Sequence, residues 1–146
     1  MAIAISKDVD LMNSFLRGEL SAVETYDQAL EKLADEASIA SILRECRDSH
    51  ARRCNLIKRE IARLGGEASG DSGVWGGFAK LVEGGAKAFG KKAAIAALEE
   101  GEDHGRDDYQ RELRDLGPEA RDFVERELMP EQLRTHDQLS ALKKRM

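Results

Sequence analysis

The sequence predicts an all-α fold, a four-helix bundle, and three observations carry that expectation. Apolar residues recur at alternating steps of three and four along four long segments, the stripe of an amphipathic helix. The composition is 41% apolar and 35% charged, with 2 Pro and 5% aromatics, a mixture typical of long soluble helices; β-branched residues are too sparse for a sheet. A motif of Gly-Glu followed, after six intervening residues, by Tyr occurs twice, as Gly18-Glu19 with Tyr26 and as Gly101-Glu102 with Tyr109. At 146 residues the chain is a single domain with enough length to bury a core.

The first helix is expected from about Lys7 to Asp35, with Met12, Phe15, Glu19, Ala22, Tyr26, Ala29 and Leu33 on its inner stripe. Gly18 in its middle costs about 1 kcal/mol against Ala, which points to a close neighbouring helix or a kink. A short break at residues 35–38, with Ser38 as N-cap, leads into a second helix ending near Leu64. Its inner face carries Ile42, Leu43, Cys46, His50, Cys54, Ile57, Ile61 and Leu64, whereas Arg52, Arg53, Lys58, Arg59 and Glu60 read mainly as solvent-facing. Gly65-Gly66 closes it. Nine of the 13 glycines fall between Gly65 and Gly90, in a long connection expected to hold a short helix with Trp75, Phe78 and Val82 inward. The third helix should run from Lys91 to Leu116, ending at Gly117-Pro118, and Pro118 suits the first turn of the fourth. Phe123, Val124, Leu128, His136, Leu139 and Leu142 mark that last helix, and Pro130 should bend it at the preceding turn.

The formal net charge of −5 argues against general nucleic-acid binding, which needs a basic surface. No apolar run approaches the ~20 residues of a membrane span, and the opening residues lack the basic segment of a signal peptide. The expected location is cytoplasmic. Cys46 and Cys54, eight residues apart on one helix, are too distant to bridge and read as small buried hydrophobes.

A glutamate on a core stripe is costly unless something pairs with it. Glu19 and His50 belong to the first pair of helices, Glu102 and His136 to the second. Counting residues from each turn puts each Glu and His within roughly two helical turns in height. Four ionisable residues, one per helix, therefore converge near the middle of the bundle. Carboxylate and imidazole suit Fe, Mn or Zn; Glu–His hydrogen-bonded pairs without metal would satisfy the same groups. Tyr26 and Tyr109 should pack in the core and bond a polar group there.

The two Glu-x6-Tyr segments, the connection containing Trp75 and the run Leu98-Glu99-Glu100-Gly101-Glu102 together resemble the ferritin-like and rubrerythrin-like four-helix bundles. They are most similar to a bacterial ferritin-like domain family of unknown function, over about Leu11 to Leu142. The resemblance implies that fold. In di-iron members two helices each give a Glu and two give Glu-x-x-His. Glu19 and Glu102 match the first kind of ligand, His50 and His136 the histidines. Arg47 and Leu133 stand where the bridging glutamates would be, and an inward Arg47 would compete with metal. Glu45 and Glu131 lie off the ligand face. The expectations are a reduced Glu2His2 site binding iron, manganese or zinc, a non-enzymatic stress-related or interaction bundle with buried Glu–His pairs and no metal, or a homo-oligomer assembled through Trp75 and the connection. Oxidoreductase turnover is not favoured by the incomplete motif.

Overall fold

The computed structural model describes residues 2–70, 84 and 90–146, and among these it is all-α with no strand. The expected short helix carrying Trp75, Phe78 and Val82 lies outside the described residues. Helix α1 (Ala2–Leu33) starts ahead of Lys7 and buries the predicted stripe of Met12, Phe15, Glu19, Ala22, Tyr26, Ala29 and Leu33. Helix α2 (Ala37–Arg63) begins after Glu36 rather than at Ser38. Helix α3 (Lys91–Glu112) ends in a 3-10 turn over Leu113–Asp115. The fourth helical stretch has three parts: α4 (Pro118–Phe123), a π turn over Val124–Leu128, and α5 (Met129–Arg145).

Each boundary has a local cause. α2 stops in a Schellman arrangement: Gly65 takes a φ of 81°, its N–H donates to Ala62 O at 3.0 Å, and Gly66 N–H donates to Ile61 O at 3.0 Å. Gly66 is also held close to α1, since a Cβ there would lie 2.6 Å from Val9 Cγ1. Asn13 then fixes the departing chain, donating to Glu67 O at 2.9 Å and accepting from Ser69 N–H at 2.7 Å. Lys91 ties the start of α3 to the α1–α2 turn through Asp35 at 3.0 Å and Glu36 at 2.6 Å. At the other end, Asp8 of α1 accepts Gly117 N–H at 3.0 Å, and Pro118 occupies the first turn of α4 as expected. The disturbance predicted at Pro130 takes the form of the π turn, in which Met129 N–H reaches back to Val124 O. Proline lacks an N–H and its ring would press on the carbonyl four residues before it, so the turn just ahead of it widens.

α1 packs on α2, α3 on α5, α1 on α3 and α2 on α5, so the four stretches enclose one interior. That interior is layered. One apolar cluster combines Leu33, Ile39, Leu43, Ile95, Leu98 and Leu139; another combines Met12, Leu16, Ile57, Ile61, Val124 and Leu128. Between them, near the middle of each of the four helical stretches, the buried side chains turn polar: Glu19, Ser49, His50, Arg53, Glu102, Gln132 and Thr135. Among the described residues no helix is long and apolar enough to cross a membrane.

The α2 terminus gives a test of the backbone argument. Gly65→Ala forces a side chain into the left-handed region and should cost about 1–2 kcal/mol. Gly66→Ala drives a methyl into the stiff Val9 side chain and should cost about 1–3 kcal/mol. Gly70→Ala, where a Cβ meets nothing within 4 Å, should stay within about 0.5 kcal/mol of the parent in urea unfolding.

Candidate functional site: a buried charge layer

The layer is built around the His50 ring. Its Nδ1 lies 2.5 Å from Glu19 Oε2 and its Nε2 lies 2.7 Å from Glu102 Oε2. Each nitrogen faces a glutamate oxygen, and an ionised carboxylate only accepts; the two negative charges favour the doubly protonated ring, so His50 bridges them as an imidazolium. Helices α1 and α3 thus present their glutamates to opposite edges of one ring from α2. The Tyr26 ring stacks on it with centroids 5.3 Å apart.

One turn further along α2 stands Arg53, fully buried. Its Nη1 donates to Glu19 Oε1 at 3.2 Å and to Gln132 Oε1; its Nη2 donates to Ser49 Oγ at 3.2 Å and Thr135 Oγ1 at 3.1 Å. Gln132 in turn donates to Glu102 O at 2.8 Å and Glu102 Oε1 at 3.1 Å, and Thr135 donates to Glu102 Oε1 at 2.6 Å. Arg53 Nε is the exception, a buried donor without an acceptor among the described residues.

The two tyrosines close the layer reciprocally. Tyr26, in the first copy of the motif, donates to Glu102 of the second at 2.5 Å; Tyr109, in the second, donates to Glu19 of the first at 2.6 Å. Each apolar half of the core therefore sends one hydroxyl into the polar layer, from one motif to the carboxylate of the other. Phe15 supports Tyr109 with its ring 4.7 Å away.

Two carboxylates face two cations, so the layer is neutral. Burial alone would raise the carboxyl pKa values, but the Arg53 and His50 charges outweigh it at Glu19, and His50, Arg53 and Thr135 outweigh it at Glu102, which falls to about 2. Burial and Arg53 push His50 down, yet Glu102 and Glu19 prevail and hold it above its ordinary value. Burial and the facing carboxylates push both tyrosines well up, so they remain hydroxyl donors.

Of the four residues expected to converge, the structure brings together Glu19, His50 and Glu102. His136 is not with them. Its side chain is 16% exposed, with Nε2 2.5 Å from the half-exposed Asp103 on the outer side of α3. Adjacent residues on a helix point about 100° apart, and the inward position belongs to its neighbour Thr135. Gln132 and Thr135 were missed because neutral polar residues read as surface, although Leu128, Thr135 and Leu142 are seven apart and Gln132 stands seven before Leu139. Arg53 was also misplaced: it points inward, while Arg47 stays outside with Asp27 at 3.0 Å and Asp48 at 3.5 Å. Its signal was the same spacing, seven after Cys46 and three after His50. Cys46 and Cys54 are free and buried, and burial pushes both thiols up to about 12, so neither is a ready nucleophile.

The geometry separates the two histidines energetically. His50→Ala leaves two buried carboxylates with one cation and should cost about 3–5 kcal/mol. His136→Ala removes a partly exposed pair and should cost about 0–1 kcal/mol. Tyr26→Phe and Tyr109→Phe each strip one donor from a buried carboxylate and should cost about 1–3 kcal/mol apiece. Urea midpoints of the four variants check the ranking.

Compared with known families, residues 7–115 match the Domain of unknown function (DUF2383). The matched segment includes Glu19, Tyr26, His50, Arg53, Glu102 and Tyr109 and stops before Gln132 and Thr135. No curated protein matches the chain, and no solved structure does. Since the match covers well over half of its length, the chain belongs to the DUF2383 family.

Proposed function

We propose that this protein is a non-enzymatic helical bundle, an interaction or scaffold module, whose interior charge layer is complete without a metal ion. The observation that carries the reading is the Arg53 guanidinium bonded to Glu19 in the centre of the layer. Arginine stays charged under all ordinary conditions. A dication 4 Å from it would be disfavoured by about 8 kcal/mol at an effective dielectric constant of 20. The donor set agrees, because both nitrogens of His50 are already engaged by the carboxylates. Among the described residues, no group of three or more His, Cys, Asp and Glu side chains is arranged to hold a metal ion. On this reading the positive charge of Arg53 takes the part that iron, manganese or zinc was expected to play beside Glu19.

The same positions support kinship with ferritin-like bundles at the level of architecture. Dimetal bundles take one Glu from each of two helices and a Glu-x-x-His pair from each of the other two. Here α1 and α3 supply Glu19 and Glu102. At the i, i+3 spacing of the pair, α2 supplies His50 and Arg53, and α5 supplies Gln132 and Thr135. The carboxylates remain while protonated or neutral donors take the places of the other ligands. Such a layer fixes how the helices meet, and the outer surface is left for partners.

Two measurements test this. His50 has a raised pKa, so its contribution to stability is full below its ordinary value of 6.5 and is lost as pH rises through the raised value. Glu19 and Glu102 have lowered pKa values, so theirs is full above the ordinary 4.5 and is lost as pH falls, for Glu102 through about 2. Urea stability should therefore be greatest between these ordinary values and decline on both sides, with the alkaline decline missing in His50→Gln. In parallel, Fe(II), Mn(II) and Zn(II) should leave the melting temperature of the wild-type protein unchanged. A site held at 100 times its Kd would add about 2.7 kcal/mol, and that gain would contradict the proposal.

A further inference from the structure

The disagreement between this layer and a metal centre is localised in one side chain. We propose that Arg53 is the residue that excludes metal, and that its guanidinium fills a seat otherwise suited to a hard divalent cation. The proposal rests on the reading of the layer as complete without metal and goes one step past it.

Three features support the seat. The two terminal nitrogens of Arg53 are surrounded by oxygen acceptors: Glu19 Oε1 at 3.2 Å, Gln132 Oε1, Ser49 Oγ at 3.2 Å and Thr135 Oγ1 at 3.1 Å. One carboxylate, one amide carbonyl and two hydroxyls form a hard, all-oxygen set, of the kind that favours Mg, Ca or Mn over softer metals. The orphaned Nε fits the same picture, because the surroundings provide acceptors for a compact cation at the tip but none for the stem of an arginine. Arg53 also separates the layer from the surface. A surface cavity of about 170 Å³ is bounded by Ser49, Arg52, Arg53, Arg59 and Glu131, so shortening Arg53 would join it to the layer.

Charge decides the sign. Without Arg53, two carboxylates face His50 alone, and the vacated seat lies against an uncompensated Glu19. A cation entering there restores what the guanidinium supplied. No rearrangement of the bonds from His50 to Glu19 and Glu102 is needed, since they lie on the other carboxylate oxygens.

The test is Arg53→Ala in the full chain, titrated with Mn(II) and followed by the electron paramagnetic resonance signal of free Mn(II) and by melting temperature. The expected result is Mn(II) binding at least about tenfold tighter than in the wild type, a melting temperature that rises with Mn(II), and loss of both when Glu19→Gln is added. Should Arg53→Ala be unfolded without metal, recovery of helical circular dichroism on adding Mn(II) supports the seat. Arg53→Gln, a milder change, is carried through the same titration. A folded variant of either kind that leaves the Mn(II) signal unchanged overturns the inference, as does failure of Mn(II) to restore both when unfolded. Stabilisation by millimolar guanidinium but not by Mn(II) also overturns it, while leaving the metal-free reading of the wild type intact. Binding of Mn(II) by the wild type as tightly as by Arg53→Ala overturns both.

Discussion

Everything in the interior depends on one imidazolium held between two carboxylates. His50 reaches Glu19 with one nitrogen and Glu102 with the other, so a single ring from α2 fixes the spacing of α1 and α3. The arrangement works only if the ring is charged, and the ring is charged only because two carboxylates face it. Arg53 settles the remaining charge, and the tyrosine hydroxyls, Gln132 and Thr135 supply the remaining hydrogen bonds. An apolar layer of the same volume could be equally or more stable, since desolvating ions costs several kcal/mol each. What the ionic layer adds is direction. Sliding α1, α2 or α3 by one turn would leave a buried charge without its partner, and sliding the last helix would strip Glu102 and Arg53 of the hydrogen bonds of Gln132 and Thr135, whereas leucines would tolerate the slip.

The repeated Gly-Glu-x6-Tyr motif acquires its meaning from this arrangement. Six intervening residues put Tyr two turns from Glu on the same face. In an antiparallel relation of height, the tyrosine of each copy cannot serve its own glutamate; it meets the glutamate of the other. Hence Tyr26 bonds Glu102 and Tyr109 bonds Glu19. Each tyrosine body packs in one apolar half while its hydroxyl enters the polar layer, the division of labour for which this side chain is suited.

How much of this was legible in the sequence depended on residue type. The α1 and α2 stripes, the glycine stop at Gly65-Gly66, the Pro118 start and the disturbance ahead of Pro130 all come from backbone chemistry or apolar period, and both are local. Glu19, His50 and Glu102 were legible because an ionisable residue on an apolar stripe is conspicuous. Gln132 and Thr135 were hidden because their reason for being inside is not local: they face Glu102 and Arg53, which lie on other helices. Arg53 was hidden by its company, a run of cations along α2 of which the others face solvent. His136 attracted attention as a histidine opposite a histidine, yet the fourth position needed donors to carboxylate and acceptors for guanidinium, which an amide and a hydroxyl provide.

The charges are also divided unequally between the two halves of the chain. Residues of α1 and α2 contribute Glu19, His50 and Arg53 to the layer, a surplus of one positive charge when His50 is protonated. Residues of α3 and α5 contribute Glu102, one negative charge, with Gln132 and Thr135 as neutral partners. Neither half can bury its own polar stripe without an uncompensated charge, and together they cancel. The duplication seen in the glutamates and tyrosines therefore does not extend to the cations. Two copies of the first half would place four cations against two carboxylates, and two copies of the second would leave two carboxylates facing no cation at all. The asymmetry between His50-x-x-Arg53 and Gln132-x-x-Thr135 thus disfavours like-with-like pairing of the halves and directs each to its complement.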